Sequence, residues 1–201
     1  TRLGMTYTDS HSAGFVRNGS DWSIPAYACS LSGRIPSRYL TWFQAAQACA
    51  LAGKTLITNE IWQIAAAGTD DRTGGDGDGY CHISEVVDEP VPTGSRTRCI
   101  SKYGAYDMVG NLLEWTADWI DAGGDNSDGA QTPDEYHGDG FGSVSPALFP
   151  GTYYSKFPHF PAVAIRGGNW EDRTEAGVFN YGLSSAPSRW SQSIGLRRMI
   201  R

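Results

Sequence analysis

Two carboxylates lie seven residues apart near the centre of the chain, at Asp107 and Glu114, with a Gly-Asn pair between them. Glu114 lies in an otherwise apolar, strand-like run, Leu-Leu-Glu-Trp, at residues 112–115. A buried carboxylate must be paired, neutral or bound to a cation. Two carboxylates and the carbonyls of the turn between them would suit calcium, which takes roughly six to eight oxygen ligands. The alternative is a Glu on the solvent-exposed face of a half-buried strand.

The other residues that could do chemistry give weaker signals. The sequence GGDGDG at residues 74–79 lacks the ligand spacing of an EF-hand, which favours a solvated loop. The four histidines are dispersed, without the spacing of an iron site. No two cysteines form a Cys-x-x-Cys motif, so a zinc knuckle is disfavoured. Cys81 and Cys99 flank a loop with Pro and Gly and could pair, whereas Cys49 is expected to be a small buried hydrophobe.

Residues 165–198 have a composition typical of a recognition surface. Both ends of this stretch, RGGNW at 166–170 and IGLRR at 194–198, predict short strands with glycines that allow close backbone approach. The middle has no helical or alternating period and is rich in Ser, Asn, Tyr, Arg and Trp. Rigid aromatic residues supply contact area and small polar residues supply adaptable hydrogen bonds. The alternative is an ordinary surface loop between two strands.

Two helices are predicted to support these candidate sites. Thr41 and Gln44 form a capping box at the start of a helix over residues 41–52. Thr58 is the expected N-cap of a second helix that ends near residue 67. Two helices this short must pack on another element, and a sheet is the expected partner. The buried face of the second helix is predicted to consist of Ile61, Ile64 and Ala65, with Trp62 beside it.

Length and charge restrict the class of protein. The chain has 201 residues, which suits a single domain over 1–201, although the signals over 1–38 are weak. Its 16 basic and 22 acidic residues give a net charge of −6, and no basic stripe is visible. Nucleic acid and anionic membrane surfaces are therefore poor partners. No apolar run approaches the roughly 18 residues of a membrane span. The start at Thr1, without a signal-like segment, indicates a processed or truncated piece.

Several segments in combination resemble the formylglycine-generating-enzyme (sulfatase-modifying factor) family. They are GKTLITNEIW at 53–62, YDMVGNLLEW at 106–115, RGGNW at 166–170 and IGLR at 194–197. The resemblance implies an α+β, C-type-lectin-type fold, with a mixed, mostly antiparallel sheet, two helices and long irregular loops. It also implies a structural calcium ion. The ligands would be the side chains of Asp107 and Glu114 and the carbonyl oxygens of Gly110 and Leu112.

The enzymes of this family oxidise a cysteine of a client sulfatase, using copper held by two cysteines just after the Gly-Gly motif. Here residues 171–177 contain no cysteine, and none follows Cys99. A Cu(I) site needs soft thiolate ligands, so the sequence predicts neither copper nor this oxygenase activity. The alternatives are a copper oxygenase of the formylglycine type after all, or a calcium-dependent carbohydrate lectin.

Another branch of the same fold matches better. AGVF at 176–179, APS at 186–188 and IGLRR at 194–198 resemble the variable proteins of diversity-generating retroelements. The resemblance implies a hypervariable surface over about 165–198 that binds a protein or surface-receptor ligand, on a phage particle or a bacterial surface, without membrane insertion. Adenine mutagenesis during reverse transcription would scatter the changes. The candidate variable positions are Asp172, Arg173, Asn180, Tyr181, Ser184, Ser185, Arg189, Trp190, Ser191 and Ser193.

A diversified surface predicts that stability and binding depend on different residues. Trp170, Phe179 and Leu196 should then be buried, because the apolar side chains beside the Gly-rich strands need a core to pack on. Tyr181 and Trp190 are the expected binding anchors, since Tyr and Trp dominate hot spots. The side chains expected to project together into solvent are Asn180, Tyr181, Ser184, Arg189, Trp190 and Ser191.

Overall fold

The computed structural model describes residues 16–18, 21–24, 27–70, 79–83, 87–122 and 160–200, and it omits the side chains of 16–18, 21–24, 120–122, 160–161 and 184. The Gly-Asp loop at 74–78 therefore lies outside the described residues. No helix within them is long and apolar enough to cross a membrane. In chain order the elements are β1 (Val16–Asn18), β2 (Asp21–Ile24), α1 (Trp42–Leu51), β3 (Thr55–Leu56), α2 (Asn59–Ala66), β4 (Leu113–Ala122), β5 (Phe160–Arg166), a 3-10 helix (Arg173–Glu175), β6 (Tyr181–Ser185), β7 (Ile194–Leu196) and β8 (Arg198–Met199).

A four-stranded mixed sheet, in the order β6-β5-β4-β7, forms the centre of the described structure. β5 is antiparallel to both β4 and β6, whereas β7 runs parallel to β4. Glu114 of β4 therefore lies between Arg166 of β5 and Gly195 of β7. β1 pairs with β2, and β3 pairs with β8. The predicted α+β fold, with a mixed, mostly antiparallel sheet and two helices, is confirmed.

Helix α1 begins where its capping residues predict. The hydroxyl of Thr41 accepts a hydrogen bond from the N–H of Gln44, and the Gln44 side chain accepts one from the N–H of Thr41. Cys49 is fully buried, as predicted, and so is Ala45; both pack the helix against the sheet. The sheet residues of this core cluster are Leu113, Trp115, Val163, Ile165 and Ile194.

Helix α2 has the predicted start but presents a different face to the core. Ile61 and Ile64 are 41% and 50% exposed, whereas Trp62 and Ala66 are fully buried. The prediction is wrong for Ile61 and Ile64, whereas Ala65 is partly buried against the cluster that contains Trp62. An eight-residue helix buries only a narrow face, and a polar contact determines which one. The indole N–H of Trp62 donates to the carboxylate of Glu114 at 2.7 Å, which turns this side chain towards the sheet.

The RGGNW segment is a turn rather than the strand that the sequence predicts. β5 ends at Arg166, and Gly167 and Gly168 have φ values of 91° and 78°. These left-handed conformations favour glycine and end the strand. The turn is tightly packed, because a Cβ on Gly168 would lie 2.6 Å from Ala176. Trp170 follows the turn and is fully buried, as predicted.

The cysteines behave as the sequence suggested. Cys81 and Cys99 form a disulfide, with their Cα atoms 4.6 Å apart, so the pairing is confirmed. Cys49 is a buried free thiol, and burial raises its pKa to about 11. Cys29 is free and exposed. The disulfide packs with Val109 and with Ala176, so it supports the turn after β5.

Candidate functional site

The buried carboxylate of Glu114 is engaged on both oxygens. Oε2 accepts hydrogen bonds from the indole nitrogen of Trp62 at 2.7 Å and from Nε of Arg197 at 2.8 Å, and Oε1 lies 2.7 Å from a terminal nitrogen of Arg197. Arg197 also donates to the carbonyl oxygens of Tyr106 and Asp107. Burial alone would lower the pKa of Arg197, but the charge and hydrogen bonds of Glu114, together with the charge of Asp107, outweigh burial and raise that pKa. The partner of this carboxylate is therefore a guanidinium.

Asp107 is close to this pair but has its own partner. Its Oδ2 accepts a hydrogen bond from the N–H of Gly94 at 2.7 Å. Burial raises the pKa of Asp107, although this hydrogen bond and the charge of Arg197 act in the opposite direction. A carboxyl group in such a setting stabilises the loop at residue 94.

These contacts do not fit a calcium ion held by Asp107, Gly110, Leu112 and Glu114. Calcium would have to displace Arg197 from Glu114 and the Gly94 N–H from Asp107. Within the described ranges, no three His, Cys, Asp or Glu side chains are grouped so that they could hold a metal. Calcium at these four residues stays a prediction, which chelation can test, and we derive no function from it.

The guanidinium of Arg166 is buried and holds the loop that enters β6. It donates to the carbonyl oxygens of Asn180 at 2.9 Å and Val178 at 3.1 Å, and to the side-chain oxygen of Gln63. Its guanidinium carbon lies 4.4 Å from the ring centroid of Trp62. The loop is thus held through main-chain carbonyls, which every residue type supplies. The anchor therefore does not depend on which side chains the loop carries.

The turn after β5 is held by Asp172. Its carboxylate accepts hydrogen bonds from the N–H and the side-chain amide of Asn169, at 2.8 and 3.0 Å. Burial raises the pKa of Asp172 to about 6, and the nearby charges of Glu175 and Glu171 add to the increase. Arg173, the next residue, is exposed.

Most of the candidate variable residues lie at the surface of the described structure. Trp190 is 49% exposed and Arg173 is exposed. Five others are half-buried, and the side chain of Ser184 lies outside the described residues. We call the seven described surface residues the display surface: Asp172, Arg173, Tyr181, Arg189, Trp190, Ser191 and Ser193.

Two candidate residues do not belong to this surface. Asn180, expected in solvent, and Ser185 are each only 1% exposed. The expectation for Asn180 is wrong because its side-chain amide donates to the main-chain carbonyl oxygen of Glu175 at 2.6 Å, and its main-chain carbonyl oxygen accepts from Arg166. Ser185 lies opposite Val163 in the β5–β6 ladder, on the buried side of the sheet.

Phe179, predicted to be buried, is instead 61% exposed. The prediction is wrong because the loop carbonyls, including that of Phe179, face the buried guanidinium of Arg166. This orientation leaves the ring on the solvent side. Leu196 is partly buried against the main core, in partial agreement with its prediction.

The sequence did not point to the segment that lies against the display surface. The N–H of Tyr39 donates to the carbonyl oxygen of Ser191 at 2.9 Å, and the N–H of Trp42 donates to that of Pro187 at 3.0 Å. The ring of Tyr39 lies 6.0 Å from that of Trp190. These residues are at opposite ends of the chain, and no local pattern in a single sequence reports such a contact.

Comparison with known families identifies the domain. The profile of the Sulfatase-modifying factor enzyme 1-like domain matches residues 6–201, which is nearly the whole chain. The chain belongs to the sulfatase-modifying factor family. This assignment confirms the resemblance carried by the four sequence segments.

Solved structures of other proteins share the fold of this family member. The U1 variant of the Major Tropism Determinant superposes with a TM-score of 0.52, at 23% identity over 79% of this chain. The M1 variant gives 0.51 at 25% identity. The chain spans 36% of the length of each of these proteins. No curated protein matches the chain in a sequence search. The likeness shows the C-type-lectin fold.

Proposed function

We propose that this member of the sulfatase-modifying factor family is a ligand-binding protein whose display surface is diversified by a retroelement. The observation that carries the proposal is the separation of the groups that hold the loop from the groups that face solvent. Arg166 and Asn180 are buried and hold the backbone, whereas Phe179 is 61% and Trp190 is 49% exposed. Exposed side chains such as that of Trp190 can therefore change without removing the hydrogen bonds that hold the loop, whereas Asp172, which also holds the turn after β5, is the exception on the display surface.

The composition of the display surface supports binding. Tyr, Trp and Arg are enriched at binding hot spots, and this surface contains Tyr181, Trp190 and Arg189. The ring of Tyr181 contacts the buried guanidinium of Arg166, whose central carbon lies 5.7 Å from the ring centroid, and this contact restricts the ring. An aromatic ring that is fixed before binding loses less conformational entropy when a ligand arrives.

A copper oxygenase of the formylglycine type is the main alternative, and the state of the thiols argues against it. Cys81 and Cys99 are joined in a disulfide, and Cys49 is buried with a raised pKa. A thiolate pair for Cu(I) would need two accessible, deprotonated cysteines. The segment after the Gly-Gly turn, where the related enzymes have their copper ligands, contains no cysteine. We therefore propose that the protein is not an enzyme.

The partner is proposed to be a protein or surface receptor, and the location a phage particle or a bacterial surface. Support comes from the fold shared with proteins named as tropism determinants. A calcium-dependent carbohydrate lectin would instead require a metal, and the carboxylates that were its candidate ligands already have other partners.

Tolerance of the fold to substitution tests the proposal without knowledge of the ligand. One displayed library randomises Tyr181, Arg189, Trp190 and Ser191 together, and a matched library randomises four buried residues. Protease resistance reports folding. Most members of the first library should stay folded, since surface changes typically cost at most about 0.5 kcal/mol each. Most members of the second, at Trp170, Asn180, Ser185 and Ile194, should unfold. Equal loss of folding in both libraries would refute the proposal.

The DNA beside the coding sequence tests the diversification itself. A near-copy of the segment that encodes residues 165–198, differing at adenines and next to a reverse-transcriptase gene, is the expected finding. The differences should fall at codons of the display surface and spare the codon of Trp170. If the flanking DNA contains neither the near-copy nor a reverse-transcriptase gene, the proposed diversification is refuted, and the surface would be a binding surface of constant sequence.

A further inference from the structure

A second aromatic surface, outside the predicted variable positions, lies beside the display surface. We call it the fixed edge; it consists of Arg38, Tyr39, Trp42, Phe43 and Trp119. Phe43 and Trp119 are 53% and 43% exposed. The ring centroid of Trp42 lies 4.9 Å from that of Trp119 and 5.6 Å from that of Phe43, and both pairs pack edge to face. Exposed aromatic rings in one cluster mark interaction sites more often than single exposed residues do.

The fixed edge and the display surface are continuous. Two main-chain hydrogen bonds join them, from Tyr39 to Ser191 at 2.9 Å and from Trp42 to Pro187 at 3.0 Å. Between these two bonds lie the residues 188–190, which include Arg189 and Trp190 of the display surface. The Tyr39 and Trp190 rings, 6.0 Å apart, form the contact between the two surfaces. A ligand that covers Trp190 would therefore also cover Tyr39.

The backbone of Tyr39 is in an unusual conformation. Its φ is 63°, in the left-handed region that bulky residues rarely adopt. Strain of this kind persists where the surrounding structure imposes it, and it is concentrated at functional sites. Here the conformation is held by the Ser191 contact and places the tyrosine ring next to Trp190.

The charge of this region is opposite to that of the whole chain. Residues 36–43 and 185–193 contain two charged residues, Arg38 and Arg189, and no acid, although the chain has a net charge of −6. The Arg38 guanidinium lies over the ring of Tyr39, 5.4 Å from its centroid. Asp118 precedes Trp119 in β4, but its carboxylate accepts from the N–H of Asn59 at the start of α2. The display surface also contains Asp172 and Arg173, but the carboxylate of Asp172 accepts hydrogen bonds from Asn169 in the turn after β5. Two arginines, Arg38 and Arg189, thus flank the aromatic centre.

We propose that the fixed edge and the display surface form one composite site for a protein partner that presents acidic side chains around an apolar centre. The inference rests on the proposed function and adds the class of partner. Tyr39, Phe43 and Trp119 supply apolar contact area that is the same in every diversified version of the chain. The display surface supplies the differences in specificity. Arg38 and Arg189 select for carboxylates by charge-assisted hydrogen bonds.

The test uses a defined probe, because the natural partner is unidentified. Yeast-displayed three-helix proteins, randomised on one face, are selected for binding to the 201-residue chain. The selected binders are then measured against Trp190→Ala, Tyr39→Asn and the matched control Tyr103→Asn. Tyr103 is 61% exposed and lies outside both surfaces. Asn tolerates the left-handed backbone, so Tyr39→Asn should fold; Tyr39→Gly is the second variant if it does not.

Binders weakened by Trp190→Ala should also lose roughly tenfold or more in affinity with Tyr39→Asn, as expected of a shared hot spot, and should not respond to Tyr103→Asn. They should carry acidic residues and weaken further with Arg38→Ala and with added salt. Binders that need Trp190 but not Tyr39 would overturn the composite site and leave the proposed function intact. Binders that need neither Trp190 nor Tyr39 would overturn both. Binders without acidic residues would overturn the proposed partner chemistry.

Discussion

Replacement of Arg197 by Met gives the sharpest test of the account of Glu114. The carboxylate of Glu114 would remain buried and keep the hydrogen bond from Trp62, but it would lose the guanidinium that contacts both of its oxygens. Breaking a buried ion pair by removing one partner costs about 3–5 kcal/mol. We expect a loss of this size in the free energy of unfolding at pH 8.

Glu114→Gln should cost less than Arg197→Met. A glutamine side-chain oxygen can still accept from Trp62, and Arg197 keeps the carbonyl oxygens of Tyr106 and Asp107 as acceptors. The Arg197 side chain is 24% exposed, so water can solvate part of its charge. We expect about 1–3 kcal/mol for this change, the range for an unsatisfied buried group.

Urea unfolding followed by tryptophan fluorescence measures these differences at pH 8, with and without a calcium chelator. Arg34→Met is the matched control, because Arg34 is exposed and should move stability by at most about 0.5 kcal/mol. A chelator that lowers the melting temperature of the parent would show that a metal, rather than Arg197, stabilises this region. Equal losses in the two variants, or a loss in Arg197→Met no larger than the loss in Arg34→Met, would refute the guanidinium pairing.

Three further measurements address the loops around the display surface. Cleavage of the Cys81–Cys99 disulfide, with a sequence separation of 18, should cost roughly 3 kcal/mol; mass spectrometry that finds both thiols free in the non-reduced protein would contradict the pairing. Burial raises the Asp172 pKa to about 6, so the charged carboxylate destabilises the fold, and the parent should gain at most about 3 kcal/mol in stability as the pH falls from 7 to 4. Asp172→Asn should remove this gain. Trp170→Ala should cost about 3–5 kcal/mol and Phe179→Ala at most about 0.5, so equal costs in thermal unfolding would contradict the assigned burial.

Signals that depend on near neighbours in the chain were predicted well. Thr41 and Gln44 formed the expected capping box, and the apolar run around Glu114 became the central strand β4. The apolar neighbours of Glu114 gave two interpretations, a buried carboxylate with a partner or a Glu on a solvent-exposed face, and the structure confirms the first. Family membership came from short motifs, and with it came the fold, since the glycines and aromatic residues of those motifs are specific in combination.

Tertiary structure decided which partner each group found. The choice of Arg197 for Glu114, across 83 residues of chain, depends on β7 lying parallel to β4. Trp62 donates a hydrogen bond to the same Glu114, and α2 therefore buries Trp62 and Ala66 rather than Ile61 and Ile64. Phe179 faces solvent because a buried guanidinium binds its carbonyl. Local periodicity reports which residue types are apolar or turn-forming, whereas the direction of a single side chain depends on groups that only the folded chain brings within a few ångströms.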